Sequence, residues 1–179
     1  LKNAESNDLT SGGDAVTLSQ DGSASISAVT GNGDGTYSAT ITSTVAETVT
    51  ISGTVNGEAM TDTASVTFEP GAADETQTTL AAAPTSVTAD GSDSATVTVQ
   101  AKDSEGNDLT SGGDTVTLSQ DGDAAISAAT DNGDGTYTAN VTNTTAETVA
   151  IVASINGNTI ATGGASVDFE PGAASVDHS

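Results

Sequence analysis

Apolar and polar residues alternate along most of this chain. Ala95, Val97 and Val99 are separated by Thr96 and Thr98, and Val116 and Leu118 stand among Thr115, Thr117 and Ser119. Tyr137, Ala139 and Val141 alternate with Thr138, Asn140 and Thr142. Val149, Ile151, Ala153 and Ile155 make the longest run, and Ala165, Val167 and Phe169 the last. A period of two sends successive side chains to opposite faces of an extended strand, so each run predicts a strand with one buried face. Ile126 and Ala128 form a weaker pair. An opening strand is expected near residues 86–89, at an edge, because the preceding Pro84 cannot donate to a ladder.

Turn-forming residues separate the runs: Asp90-Gly91, Glu105-Gly106-Asn107, Gly112-Gly113, Asp121-Gly122, Asn132-Gly133-Asp134-Gly135 and Asn156-Gly157. About seven short strands with such turns predict a Greek-key, immunoglobulin-like β-sandwich. No stretch carries a helical stripe that could serve as a crossover, so the strands are expected to pair antiparallel.

The same pattern occurs earlier in the chain. Residues 7–14 recur at 107–114, 16–22 at 116–122, 32–37 at 132–137, 46–49 at 146–149 and 68–73 at 169–174. About 35 of the first 50 positions are identical at a shift of about 100 residues. The shift grows by one between Thr61 and Gly164, which reads as a loop insertion. A period of this length is the size of a domain, too long for a solenoid unit. The expected organisation is a module at 1–73, a short acidic linker at 74–78, a complete module at 79–174 and a tail or further linker at 175–179.

The first copy contains nothing that matches residues 79–100 of the second, a piece that holds two expected strands. One reading is that the sequence is a window cut across a longer array. The rival is a filament in which another copy of the chain supplies the strands by strand addition. In either case the first module alone should expose apolar faces and an unpaired edge. Leu1 follows no signal peptide, so the start is expected to be mature or cut from something longer.

Charge narrows the partners. The 179 residues include 25 acidic and 2 basic side chains, Lys2 and Lys102, for a net charge of −23. Nucleic acid and anionic membranes need a basic face, so both are excluded as partners. No apolar run approaches the roughly 20 residues of a membrane helix, so no direct membrane insertion is expected. With no Cys in the chain, disulfides, thiolate chemistry and Cys-based zinc sites are excluded. The core is expected to be small, built from Val, Ile, Ala and Leu with one Tyr and one Phe per module.

The strings Pro84-Thr85-Ser86-Val87-Thr88-Ala89-Asp90-Gly91, Ala95 to Val99, Lys102-Asp103, Gly106-Asn107 and Asp131-Asn132-Gly133-Asp134-Gly135-Thr136-Tyr137 resemble a bacterial immunoglobulin-like repeat of the invasin/intimin type. The last string also resembles filamin-type modules. The resemblance implies a spacer or stalk module of a cell-surface adhesin, extracellular, with neighbouring modules of the same array as partners. It implies no enzymatic activity. An accessory module of a secreted enzyme or of a phage structural protein is the other reading, because sandwiches host many roles.

The acidic residues offer candidate cation sites. Glu69, Asp74 and Glu75 lie together at the expected junction, where calcium, which takes 6–8 oxygens, would stiffen a rod. Asp34, Asp90 and Asp93 could add ligands. The competing reading is a solvated acidic linker in which Pro70 limits bending. The residues 131–135 look like a calcium loop, but Thr142 stands where an EF-hand needs Glu, and the flanks are strands. A tight turn with φ > 0 at the glycines explains them better. Tyr37 and Tyr137 are expected to be core rings whose hydroxyls bind nearby backbone, as in a tyrosine corner. His178, the only His, has no paired nucleophile and lies in the tail. Asn140-Val141-Thr142 and Asn143-Thr144-Thr145 match the N-glycosylation pattern, read here as chance.

Overall fold

The computed structural model describes residues 1–2, 5 and 7–174. The chain divides into two compact units, Leu1–Glu69 and Pro70–Ser179. Every regular element among the described residues is a strand.

In the second unit two sheets face each other across one core. One sheet orders its strands as Ser86–Thr88, Ala165–Glu170, Thr148–Ile155 and Val116–Gln120, with Asn158–Thr159 added beside Thr148–Ile155. The other orders them as Ala125–Ile126, Thr136–Thr142, Ala95–Gln100 and Thr79–Ala83, with Thr130–Asp131 beside Thr136–Thr142. Burial alternates as the sequence predicts. Ala95, Val97 and Val99 are buried from Ala95–Gln100, and Val149, Ile151, Ala153 and Ile155 from Thr148–Ile155. These side chains meet Val141, Val167 and Phe169 in a single cluster. Burial of a Val, Ile or Leu contributes roughly 1.5–3 kcal/mol. The outward faces carry hydroxyls that bond across strands, such as Thr117 to Ser154 at 2.6 Å. That pairing accounts for the Thr and Ser on the polar side of the alternation.

Two expectations are corrected. Residues 79–100 form three strands, Thr79–Ala83, Ser86–Thr88 and Ala95–Gln100. The first two separate at Pro84 and join opposite sheets: Thr79–Ala83 pairs with Ala95–Gln100, whereas Ser86–Thr88 pairs with Ala165–Glu170. The second of these pairs is parallel, with Val87 opposite Phe169. A parallel pair needs a long connection rather than a helix as such, and the body of the module between the two strands provides it.

The first unit repeats part of this plan. Val16–Gln20 and Ala64–Phe68 pair antiparallel with Glu47–Val55, which Glu58–Ala59 also joins. Among the described residues the remaining ladders of this unit are two short ones, Ser25–Ile26 with Ile41–Thr42 and Thr30–Gly31 with Tyr37–Ser38. The second unit's Thr136–Thr142 is one continuous strand. Its counterpart in the first unit is split into Tyr37–Ser38 and Ile41–Thr42, although the two sequences keep the same alternation of apolar and polar residues. The difference is the ladder partner. Ala95–Gln100 flanks Thr136–Thr142 along its length, and among the described residues no equivalent strand flanks residues 36–42.

Candidate functional site

The loops that join the strands hold most of the chain's polar organisation. At residues 131–135 the glycines adopt the left-handed conformation, Gly133 at φ 80° and Gly135 at φ 83°, as a tight turn requires. Gly135 is also pressed against the backbone: a Cβ there would lie 1.9 Å from the carbonyl oxygen of Leu109. Asp134 accepts hydrogen bonds from the Thr136 N–H at 3.0 Å and its hydroxyl at 2.5 Å. These two donors, hydroxyl first, hold its carboxyl below the usual carboxylate range. The Asp131 carboxylate accepts from Gly133 N at 2.8 Å and from Gly113 N at 2.8 Å, tying two loops together. Its oxygens therefore serve the turn. Gly31 stands at the same place in the first unit, so this tie belongs to the second unit alone.

The Tyr137 ring is buried, and its hydroxyl accepts the Asp114 N–H at 2.9 Å. Burial pushes its pKa up. Tyr37 accepts from Gly13 N at 3.1 Å and Asp14 N at 2.9 Å. Both hydroxyls thus bind nearby backbone as the sequence predicts, but the expected core ring is found at Tyr137 and not at Tyr37, which is half-buried.

Among the described residues the most enclosed carboxylate is Asp103, only 2% exposed. It accepts the N–H groups of Gly71 at 2.9 Å, Glu105 at 3.1 Å and Asn107 at 2.8 Å, and the Asn107 side-chain amide at 2.9 Å. Burial by itself raises its pKa, but these donors outweigh burial, the Asn107 amide foremost, and the carboxyl sits below the usual range. The residue fixes two things at once: the turn over residues 103–107 and the start of the second unit at Gly71. The residues Glu105-Gly106-Asn107 predict the turn, but the sequence gives Asp103 no role beyond its place in the Lys102-Asp103 string. The Asp-x-x-x-Asn spacing is the one local signal that pointed to it.

The junction candidates are placed as follows. Glu69 is exposed at the end of the first unit, while Asp74 and Glu75 are half-buried in the second. Asp74 accepts from the Thr76 hydroxyl and from Thr76 N at 2.8 Å, contacts that lower its pKa. Asp90 accepts from Asp93 N at 2.7 Å and Ser92 N at 2.8 Å, and is likewise lowered. Asp93 accepts from Thr88 N at 3.1 Å, and Asp34 binds Thr36 as Asp134 binds Thr136. Among the described residues no group of three or more His, Asp or Glu side chains is gathered as metal ligands would be.

Both lysines are taken up in the same way. Lys2 pairs with Asp8 at 2.8 Å, and Lys102 pairs with Asp108. Of the two glycosylation patterns, Asn143 is buried, and its side-chain amide donates to Glu147 at 2.7 Å, whereas Asn140 is exposed. His178 lies outside the described residues.

These folds and loops have known counterparts. The family model described as invasin, domain 3, matches residues 1–71 and again residues 74–172. InvD of Yersinia pseudotuberculosis is 31% identical over 100% of the chain, with a TM-score of 0.68. The Escherichia coli adhesin FdeC is 30% identical over 97% of it, also at 0.68. Invasin, a bacterial integrin-binding protein, shares the fold at 24% identity over 95% of the chain and a TM-score of 0.65. The chain spans 53% of the InvD structure, 57% of FdeC and 35% of invasin. A search of the curated proteins finds no match. Matched twice along its length, the chain belongs to the invasin domain 3 family of bacterial immunoglobulin-like modules.

Proposed function

We propose that the chain forms two consecutive stalk modules of a bacterial cell-surface adhesin, non-catalytic and extracellular, which space a distal binding tip from the cell. The observation that carries this reading is the repeated match to one adhesin-type module. The interior of the second unit supports it. Its facing sheets are filled by Val, Ile, Leu, Ala and aromatic side chains, and its buried carboxylate is satisfied by backbone and amide donors. A module built this way transmits length and solubility rather than chemistry. The net charge of −23 keeps such a stalk soluble and unattracted to anionic surfaces. Its partners in this reading are the neighbouring modules of the same polypeptide.

The test replaces these modules, within the parent surface protein, by unrelated β-sandwich modules of equal number. Adhesion of the bacteria should be retained. Loss of adhesion, or binding of the purified chain to host cells on its own, would show that the modules carry the receptor site themselves.

A further inference from the structure

The second unit ties the segment by which the chain enters it to the segment by which the chain leaves. Residues 75–89 run beside residues 161–170 in the same direction. Ala161 N donates to Glu75 O at 3.0 Å, and the Thr162 hydroxyl donates to Thr78 O. Thr79 and Thr162 form a parallel bridge. Beyond Pro84 the seam continues in the other sheet, where Ser86–Thr88 pairs in parallel with residues 168–170. Asp168 N donates to Thr85 O at one end of that ladder and Ala89 N to Glu170 O at the other, each at 2.8 Å. The other strand ladders among the described residues of this unit are antiparallel. Val87 and Phe169 stand opposite each other in the seam, and both are buried, as are Leu80 and Val167, so the core shields one side of it from water. Ahead of the seam the entering segment is tied again, by Gly71 N to the buried Asp103 carboxylate at 2.9 Å and by Asp74 N to Lys102 O at 2.7 Å.

We propose that this parallel seam is a load-bearing clasp, which tension along the polypeptide loads in shear. The strand directions carry the inference. A pull on the chain ahead of residue 75 draws the entering segment back toward its start. A pull on the chain after Glu170 draws the leaving segment toward its end. Because the two segments run parallel, these pulls slide one past the other. The bonds of a parallel pair are evenly spaced along it, so they stretch together and share the load. Pulled apart from one end, the same bonds would break one at a time. The Asp103 tie stands in front of the clasp and takes the load first.

A stalk between a cell and its target carries such tension, so the purpose of the clasp rests on the stalk reading, whereas its resistance is read on the isolated chain. A seam that fails under load would leave the adhesion result of the module replacement standing. Loss of adhesion in that replacement would leave the measured resistance standing.

The experiment holds the full chain at constant force and times its unfolding. The chain has no Cys, so introduced Cys pairs attach handles at chosen points. Pulled through its two ends, the chain should lengthen by about 300 Å when the second unit opens, more than residues 1–69 can give. The dwell before that step reports the unfolding rate under load. Handles at Thr85→Cys and Ser166→Cys, both exposed and at the same end of the ladder, peel the two strands apart instead. At equal force their dwell should be shorter by more than about tenfold. In the end-to-end geometry Ala89→Pro, which removes the N–H that serves Glu170 O, should shorten the dwell by about tenfold. Leu118→Ala, half-buried in Val116–Gln120 at the far edge of the same sheet, should lower stability to urea yet keep the dwell within about twofold. Equal dwells from the two attachment pairs would overturn the proposal. So would dwells of Ala89→Pro and Leu118→Ala that shorten in proportion to their losses in urea, since resistance would then follow overall stability. If Ala89→Pro gives no full step, the two attachment pairs decide alone.

Discussion

Replacing Asp103 by Ala should cost the second unit about 2–4 kcal/mol of stability. The reasoning starts from its burial and its donors. The carboxylate is 2% exposed and accepts the N–H groups of Gly71, Glu105 and Asn107 and the amide of Asn107. A buried donor left without an acceptor costs about 1–3 kcal/mol, and hydrogen bonds to a charged group contribute about 1.5–3 kcal/mol. Gly71 and Glu105 are exposed, so water recovers part of what their N–H groups lose, which brings the sum down to the stated range. Asp103→Asn keeps one acceptor oxygen but turns the other position into a donor, and should cost about 1–2 kcal/mol. Acid should reproduce the loss. The folded pKa lies below the model-peptide value, so the unfolded chain binds the proton more readily at low pH. The contribution is therefore whole above the unfolded value of about 3.9 and is withdrawn as pH falls through the lower folded value. The assay is urea unfolding of the full chain, read by amide exchange at Ala95–Gln100 and Thr148–Ile155, from pH 7 down to pH 2.5. The gap between wild type and Asp103→Asn should narrow at the acid end. An Ala variant within about 0.5 kcal/mol of wild type at pH 7, or a gap that does not change with pH, would refute the assigned role.

Other substitutions separate the two units. Phe169→Ala, at a side chain 1% exposed, should cost about 3–5 kcal/mol. Phe68→Ala, at the half-buried counterpart, should cost less than half of that, measured by the same unfolding series. Gly135→Ala should destabilise the second unit by about 2 kcal/mol or more, because φ is 83° and the new Cβ meets the Leu109 carbonyl oxygen at 1.9 Å. An unchanged melting temperature would contradict that geometry. If Glu69, Asp74 and Glu75 act as calcium ligands, millimolar calcium will raise the melting temperature. A melting temperature that does not move at millimolar calcium would end that reading.

The strand faces and the backbone ties of the two tyrosine hydroxyls were legible because they depend on short-range rules. A period of two tells which side chains of Ala95–Gln100 or Thr148–Ile155 point inward, whatever lies opposite. Gly133 and Gly135 were read as turn glycines for the same reason, since the left-handed conformation is a property of the residue itself. The pairing partners were not legible. Nothing local to residues 79–89 says that the chain changes sheets at Pro84, or that Ser86–Thr88 will run parallel to Ala165–Glu170.

Asp103 shows the limit most clearly. Its neighbours in sequence mark a polar turn at the surface, yet its carboxylate is enclosed by Gly71, a residue 32 positions earlier. The sequence by itself determined the repeat, the sandwich class, the acidic and cysteine-free surface and the strand faces, because each is written in composition or in spacing along the chain. Only the tertiary structure decided which strands share a sheet, which carboxylate is buried, and that similar residues make one continuous strand at Thr136–Thr142 but two fragments around Tyr37. The physical reason is that ladder hydrogen bonds and burial come from partners distant in the chain, and a strand without its partner has the same sequence pattern as one that has it.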